Sequence, residues 1–171
     1  MRVVTICTQH GWLAAGWSEA GLRGLVLPQK SYEEAIAKLA VQLRVDSSML
    51  LPEQPQDVEK KLVQEIEKYF RGELVNFTAS IDWTGYTSFQ RQVLAVVQQI
   101  PYGKVSSYKQ VAIEAGFSKA ARAVGGVMRS NRTPLVIPCH RVLASDGSLG
   151  GFSGGLDAKK LLLELESIPA V

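Results

Sequence analysis

Three short apolar runs open the chain, Val3 to Cys7, Trp12 to Trp17 and Leu22 to Leu27, separated by Gly11 and by Ser18 to Gly21. Runs of this length between turn residues predict a small antiparallel meander. The period then changes. Ser31 followed three residues later by Glu34 forms a capping box, and Ala35, Leu39 and Leu43 continue at helical spacing. Asp46 to Gln56, with Pro52 and Pro55, reads as loop. Asp57 is expected to cap a second helix that turns Leu62, Ile66, Tyr69 and Phe70 inward and stops near Gly72. Cys7 and the three tryptophans are assigned to the core, and no chemistry is legible in this half.

Asn76 to Thr87, containing Trp83, Gly85 and Tyr86, breaks both periodicities. The expected division is an N-terminal domain over 1–76, a linker over 77–87 and a C-terminal domain over 88–171. A helix beginning at Thr87 or Ser88 places Phe89, Val93, Val96, Val97 and Ile100 inward and ends at Pro101, Tyr102, Gly103. Ser107 and Gln110 form another capping box, opening a short helix over Tyr108 to Ala115 that ends at Gly116, and Ser118 is expected to cap a further helix over Lys119 to Arg129. Two short helices joined by a glycine-containing turn are the helix-turn-helix arrangement. The fold class is therefore α/β in the α+β sense, a small antiparallel sheet with helices followed by a mostly helical domain.

In the second of those helices Arg122, Gly125, Gly126 and Arg129 fall at i, i+3, i+4 and i+7, one face, while Ala120, Val124 and Val127 lie on another. Adjacent glycines inside a helix cost ~1 kcal/mol each relative to alanine. Either a ligand approaches this bare strip closely, or the glycines serve tight helix packing and the arginines are merely solvated.

Charge sharpens that choice. The 171 residues carry a net +3, but residues 86 to 150 balance at +6 and residues 28 to 85 at −3. A local basic segment built around helices fits nucleic-acid binding, although solvated lysines on an ordinary surface give the same balance. A 46% hydrophobic content is enough for a core. No apolar run approaches the ~20 residues of a membrane span, and Arg2 followed by Val3 to Thr8 lacks a secretory h-region, so a cytoplasmic protein without membrane contact is expected. Two cysteines do not make a disulfide framework.

The chemistry concentrates in Ile137, Pro138, Cys139, His140, Arg141 and Val142. A thiol attacks as thiolate, and its pKa of ~8.5 falls beside a cationic or basic neighbour. Pro138 fixes its own φ and biases Ile137 toward extended geometry, so the turn should be stiff. In an extended segment adjacent side chains point apart, which makes a water the expected link between Cys139 and His140. A buried structural cysteine and half of a metal site are the alternatives. Cys7 and His10 show none of the paired spacings a metal site needs.

Together with Arg-Ala-Val-Gly-Gly-Val-Met-Arg-Ser-Asn over Arg122 to Asn131, and with Gly150, Gly151, Phe152, Ser153, Gly154 and Gly155 after it, the Pro-Cys-His-Arg-Val run resembles the O6-alkylguanine-DNA alkyltransferase family, also called methylated-DNA-protein-cysteine methyltransferases. The match spans about Ser88 to Glu166, with several motifs in the same order and spacing. The resemblance implies a ribonuclease-H-like N-terminal domain. It also implies stoichiometric, irreversible transfer of the alkyl group from O6-alkylguanine, and from O4-alkylthymine, in duplex DNA to Cys139, the protein being consumed in one turnover. Binding is through the minor groove by a monomer, and the damaged nucleotide is flipped out, since the alkyl group cannot be attacked in line inside the stack.

By the same resemblance Glu166 orients His140, which deprotonates Cys139 through a water, and Asn131 bridges the recognition helix to the cysteine segment. From the residues alone, Glu166 would be an ordinary exposed helix-end glutamate. Arg122 fills the gap left by the extruded nucleotide, Tyr108 crowds its phosphate, and Gly125, Gly126 and Arg129 complete the DNA-facing strip. Pro134 and Val142 line the alkyl pocket, and Ser153 supplies a backbone amide to the guanine oxygen. Phe152 stands where the family has a tyrosine, which removes a hydroxyl donor and leaves an aromatic wall. Some members hold a structural zinc, but Cys7 and His10 do not reproduce a complete ligand set, so neither metal nor cofactor is expected. A lesion sensor without chemistry is opposed by Cys139. A cysteine hydrolase leaves the paired glycines and arginines unexplained.

Overall fold

Side chains alternating between two faces of short strands build the first half of the molecule: β1 (Arg2–Thr8), β2 (Gly11–Ser18) and β3 (Gly21–Gln29) pair antiparallel in the order β1-β2-β3. The computed structural model describes residues 1–169, and the chain divides into two compact units, one over Met1–Thr84 and one from Gly85 onward. In the first unit α1 (Tyr32–Leu43) lies against the sheet, where Ala35, Leu39, Ala40 and Leu43 meet Val3, Ala14 and Val26. Gly16 and Gly24 face each other across β2 and β3, and a Cβ on Gly24 would sit 3.0 Å from both Leu39 and Leu43 side chains. Glycine there lets the helix close on the strands. Ser31 caps α1 by accepting from Glu34 N at 3.2 Å.

α2 (Asp57–Phe70) buries Leu62, Ile66, Tyr69 and Phe70 as its period requires, but its cap position is Gln56 and not Asp57, and Glu59 accepts from Gln56 N at 2.9 Å. The loop before it contains a single 3-10 turn, Ser47–Met49. Cys7 corrects the core assignment. Ile6 is buried, so strand alternation sends Cys7 outward, where it is exposed. Of the tryptophans, Trp17 is in the core while Trp12 and Trp83 are half-buried. Ile81 bridges Leu22 on the outer edge of β3, and the neighbouring Asp82 accepts from Ser18 Oγ at 2.7 Å.

The second unit is mostly helical. α3 (Ser88–Gln98) starts from a Thr87–Gln90 capping box and buries Val93, Leu94 and Val97. α4 (Tyr108–Glu114), capped by Ser107, contributes Val111 and Ala112, and α5 (Ala121–Ser130) contributes Val124, Val127 and Met128. Ser118 does not cap α5. Phe117 packs edge-to-face on Phe89 at 4.8 Å, and Ala120 N donates to Phe117 O, so a turn occupies 117–120 and the helix begins at Ala121. β4 (Ser106–Ser107) and β5 (Val142–Leu143) pair in parallel, Ser106 with Val142 and Ser107 with Leu143. That short pairing fixes the start of α4 beside the residues that follow Cys139. α6 (Leu156–Leu165) closes the unit with Lys159, Leu162 and Leu163 buried. No helix among the described residues is long and apolar enough to cross a membrane.

Candidate functional site

Asn131 ends α5 in extended geometry, and the chain then doubles back to Cys139 through a tight buried turn. Leu135 sits at φ 71°, a left-handed conformation that costs a bulky residue on the order of 1–2 kcal/mol. Asn131 holds the turn. Its Nδ2 donates to Ile137 O at 2.9 Å and to Cys139 Sγ at 3.1 Å, while its Oδ1 accepts from Thr133 N at 3.0 Å. Sequence reasoning expected the turn to be held, and the contact to the sulfur itself is additional.

Cys139–Arg141 form a 3-10 turn, which corrects the extended segment expected from sequence. Pro138 has φ −79° and its carbonyl accepts from Arg141 N at 2.9 Å, so the ring that stiffens the peptide also seeds the turn. Three residues per turn still separates consecutive side chains, by about 120°. Cys139 and His140 therefore diverge, for a different geometric reason.

His140 points into the core, fully buried, with Nε2 2.7 Å from Glu166 Oε1. Glu166 is buried at the end of α6, not exposed. It accepts from Arg141 through Nε at 2.9 Å and Nη2 at 3.0 Å, and from Gly103 N at 3.0 Å. Burial alone would raise this carboxyl, but the bonds from His140, Arg141 and Gly103 outweigh it and hold it down at about 2. Burial keeps His140 below the usual imidazole range despite that carboxylate. Burial also pushes the Cys139 thiol up to about 11, against the pull of Asn131 and the positive charge of Lys159. At neutral pH the resting site thus holds a thiol, a neutral imidazole and an ionised carboxylate. A neutral imidazole can accept a proton, and the carboxylate beside it stabilises the imidazolium that results.

Tyr108 is half-buried near the thiol. Burial raises its phenol, and the nearby Cys139 raises it further. Its hydroxyl donates to Gly151 O at 3.3 Å. A Cβ on Gly150 would come within 2.7 Å of that hydroxyl, so the backbone of the glycine-rich loop lies flat against the ring. Tyr108, Arg122, Gly125, Arg129, Ala144, Ser145 and Gly151 line a cleft of about 310 Å³. Arg122 and Arg129 are exposed on it, while Val124 and Val127 are buried on the other side of α5. A Cβ on Gly125 or Gly126 would have no neighbour nearer than 3.8 Å, so no packing within the chain demands glycine at either position.

The structure therefore bonds Asn131 to Cys139 and Glu166 to His140, two groups joined by the Cys139–Arg141 turn, and sets Tyr108, Arg122, Gly125 and Arg129 around one cleft. Gly126, Pro134, Val142, Phe152 and Ser153 are not part of the cleft lining. Pro134 and Val142 are buried beside the turn, Phe152 is half-buried and Ser153 exposed. Sequence reasoning missed Arg141 as a partner of Glu166, Ala144 and Ser145 in the cleft, and Lys159. A signal for Lys159 existed, since Lys159, Leu162, Leu163 and Glu166 fall at i, i+3, i+4 and i+7 on one face of α6.

Residues 88–168 match the family described as 6-O-methylguanine DNA methyltransferase, DNA binding domain. Methylated-DNA-protein-cysteine methyltransferases are similar in sequence. That of Methanothermobacter thermautotrophicus is 46% identical over 110 residues, 64% of this chain and 61% of that protein. That of Methanosarcina barkeri is 41% identical over 107 residues, 63% of this chain and 67% of that protein. Among solved structures, Mycobacterium tuberculosis OGT in complex with DNA is similar with a TM-score of 0.79 at 32% identity, covering 98% of this chain and 93% of that one. The O6-methylguanine-DNA methyltransferase of Pyrococcus kodakaraensis gives 0.73 at 29% identity, covering 97% and 99%. The sequence match spans about three fifths of the length of curated relatives such as those of M. thermautotrophicus and Haemophilus influenzae, at 61% and 59%.

Proposed function

The chain belongs to the methylated-DNA-protein-cysteine methyltransferase family, and from that premise we propose that it repairs DNA directly, moving the alkyl group of O6-alkylguanine onto Cys139. The observation that carries this reading is the Cys139 thiol, bonded by Asn131 and flanked by the buried His140–Glu166 pair, next to a tyrosine that lines an arginine-edged cleft. In the proposed reaction the thiol proton passes through a water to His140. The thiolate attacks the alkyl carbon, the carbon–oxygen bond breaks, and its electron pair goes to the guanine oxygen. Backbone amides of the Gly150–Gly155 loop, Ser153 among them, supply donors for that oxygen, and the proton held on His140 neutralises the base. The thioether does not revert, so each chain acts once. O4-alkylthymine offers the same oxygen-bound alkyl group and is a second substrate.

The DNA-facing part of the proposal treats α4, the turn and α5 as a helix-turn-helix whose second helix lies in the minor groove of the duplex. Gly125 and Gly126 support it, because a Cβ at either would make only ordinary contacts within the chain, so glycine there serves the close approach of a sugar-phosphate backbone. Extruding the target base costs a few kcal/mol, less for a mispaired lesion. Arg122 occupies the vacated stack, Tyr108 crowds the rotating nucleotide, and Arg129 binds phosphate. Pro134, Val142 and Phe152 are the apolar surroundings of the base. The meander with α1 is read as ribonuclease-H-like, and the protein acts as a monomer in the cytoplasm.

Duplex DNA carrying a labelled O6-methylguanine tests the proposal. Peptide mapping is expected to find one label per chain, on Cys139. Label on Cys7, repeated turnover, or no transfer would overturn it.

A further inference from the structure

A charged lysine with no carboxylate partner is costly to bury unless its protons are all directed at something. Lys159 is completely buried on α6. Its Nζ donates to Val142 O at 2.7 Å and to Leu149 O, and lies 5.9 Å from the centre of the Phe152 ring. Those two carbonyls are the ends of one excursion. Val142 directly follows the Cys139 turn, and Leu149 directly precedes the glycine-rich loop over 150–155. Between them Ala144 N donates to Ser148 O, closing a tight turn.

We propose that Lys159 is a positioning residue that clamps the Gly150–Gly155 loop to the cysteine turn and presents to Cys139 the positive charge that favours its thiolate. The ionisable groups facing Lys159 are Cys139 and His140, both on that turn, and Tyr108 with Arg129 flank the thiol from α4 and α5. Asp157 and Lys160, on its own helix, are exposed. Burial pulls Lys159 down to about 8, and a Cys139 thiolate opposes that fall. At neutral pH Lys159 keeps its charge while Cys139 rests as the thiol, so the ammonium acts on the small thiolate fraction that reacts, and Glu166, at the end of the same helix, is already engaged by His140 and Arg141. No electron or bond changes place in this role. One residue thereby sets both where the base-binding loop sits and how readily the sulfur ionises.

This inference deepens the alkyltransferase reading, and its test is built to fail separately. Lys159→Met keeps the length and apolar stem and removes the charge and donors. Its folding is checked by near-ultraviolet circular dichroism. Reaction of Cys139 with iodoacetamide, followed by peptide mass spectrometry so that exposed Cys7 does not interfere, reports thiol ionisation without any alkylated DNA. At pH 7, where Lys159 still carries its charge, Lys159→Met is expected to react about tenfold more slowly than the wild type. Backbone hydrogen exchange over 150–155 is expected to quicken at least tenfold, and Lys159→Arg, which keeps the charge, restores the rate at pH 7. A folded Lys159→Met protein with the wild-type iodoacetamide rate at pH 7 and wild-type loop protection would overturn the proposal.

A measurement on the wild-type chain needs no variant to fold. The Lys159 ammonium protons, followed by NMR at pH 7, are expected to exchange slowly because Val142 O and Leu149 O hold them, and freely exchanging ammonium protons also overturn the proposal. Failure of the wild-type protein to take the methyl group from O6-methylguanine DNA would instead overturn the alkyltransferase reading and leave these readouts intact.

Discussion

His140 Nε2 and Glu166 Oε1 lie 2.7 Å apart with both side chains fully buried, although 26 residues separate them in the chain. Arg141, next to His140, grips the same carboxylate through two nitrogens and spans on to Ile100 O at 2.6 Å. The imidazole is thus oriented by a carboxylate that is itself held by a guanidinium fork and a backbone amide.

Glu166→Gln removes the charge that balances buried Arg141 and orients His140. Breaking a buried pair by removing one partner costs about 3–5 kcal/mol, and the outer end of that range is expected to be softened by the amide that remains. Urea unfolding should record a loss of at least about 2 kcal/mol. The folded fraction should bind duplex DNA like the wild type while transferring alkyl groups at least tenfold more slowly. Unchanged transfer in folded Glu166→Gln would return the residue to a purely structural role.

The same carboxylate governs acid stability. Its folded pKa of about 2 lies below its ordinary value of 4.5, so the unfolded chain binds more protons between those values. Its contribution is therefore complete above pH 4.5 and is lost as pH falls toward 2. Stability curves measured from pH 6 to pH 2 should show a steeper decline for the wild type than for Glu166→Gln.

Asn131→Ala deletes the donors to Cys139 Sγ and Ile137 O and the acceptor of Thr133 N. Leaving buried partners unsatisfied costs about 1–3 kcal/mol. Alkyl transfer should slow more than folding weakens, because the thiolate loses a hydrogen bond, and the iodoacetamide midpoint of Cys139 should move to higher pH. A stability loss with an unmoved midpoint would confine Asn131 to shaping the turn.

Gly125→Ala and Gly126→Ala separate folding from DNA binding. The added methyl meets nothing closer than 3.8 Å, so each should stabilise the folded chain by about 0.5–1 kcal/mol through helix propensity. Each should also weaken binding to duplex DNA. Thermal unfolding and fluorescence anisotropy measure the two effects on the same samples, and unaltered affinity in both variants would count against α5 as the contact surface.

Arg122→Ala should lower repair of duplex DNA much more than transfer from free O6-alkylguanine, which needs no base flipping. Single-stranded substrate should recover part of the loss if the side chain replaces stacking, whereas a phosphate contact would chiefly flatten the salt dependence of binding. Equal losses with duplex and free base would show that Arg122 supports the folded site.

By itself the sequence determined what is local. Strand and helix periods follow from side-chain geometry over a few residues, so the three strands, the Ser31, Thr87 and Ser107 starts and the buried stripes of α1 and α2 were legible, whereas in α3 Leu94 is buried and Phe89 and Val96 only half-buried. The arginine and glycine face of α5 and the Pro-Cys-His run were legible for the same reason, with motif order adding the roles. Where competing local signals were close, tertiary packing chose. Phe117 on Phe89 displaced the cap from Ser118, and Ile6 facing inward turned Cys7 to solvent. Only the tertiary structure decided that Glu166 is buried, that Arg141 shares it, that Asn131 reaches the sulfur and that Lys159 lies beneath the turn. The reason is physical. A charge enters a protein interior only where partners from distant segments converge to replace its water, and that convergence is a property of the fold and not of any stretch of chain.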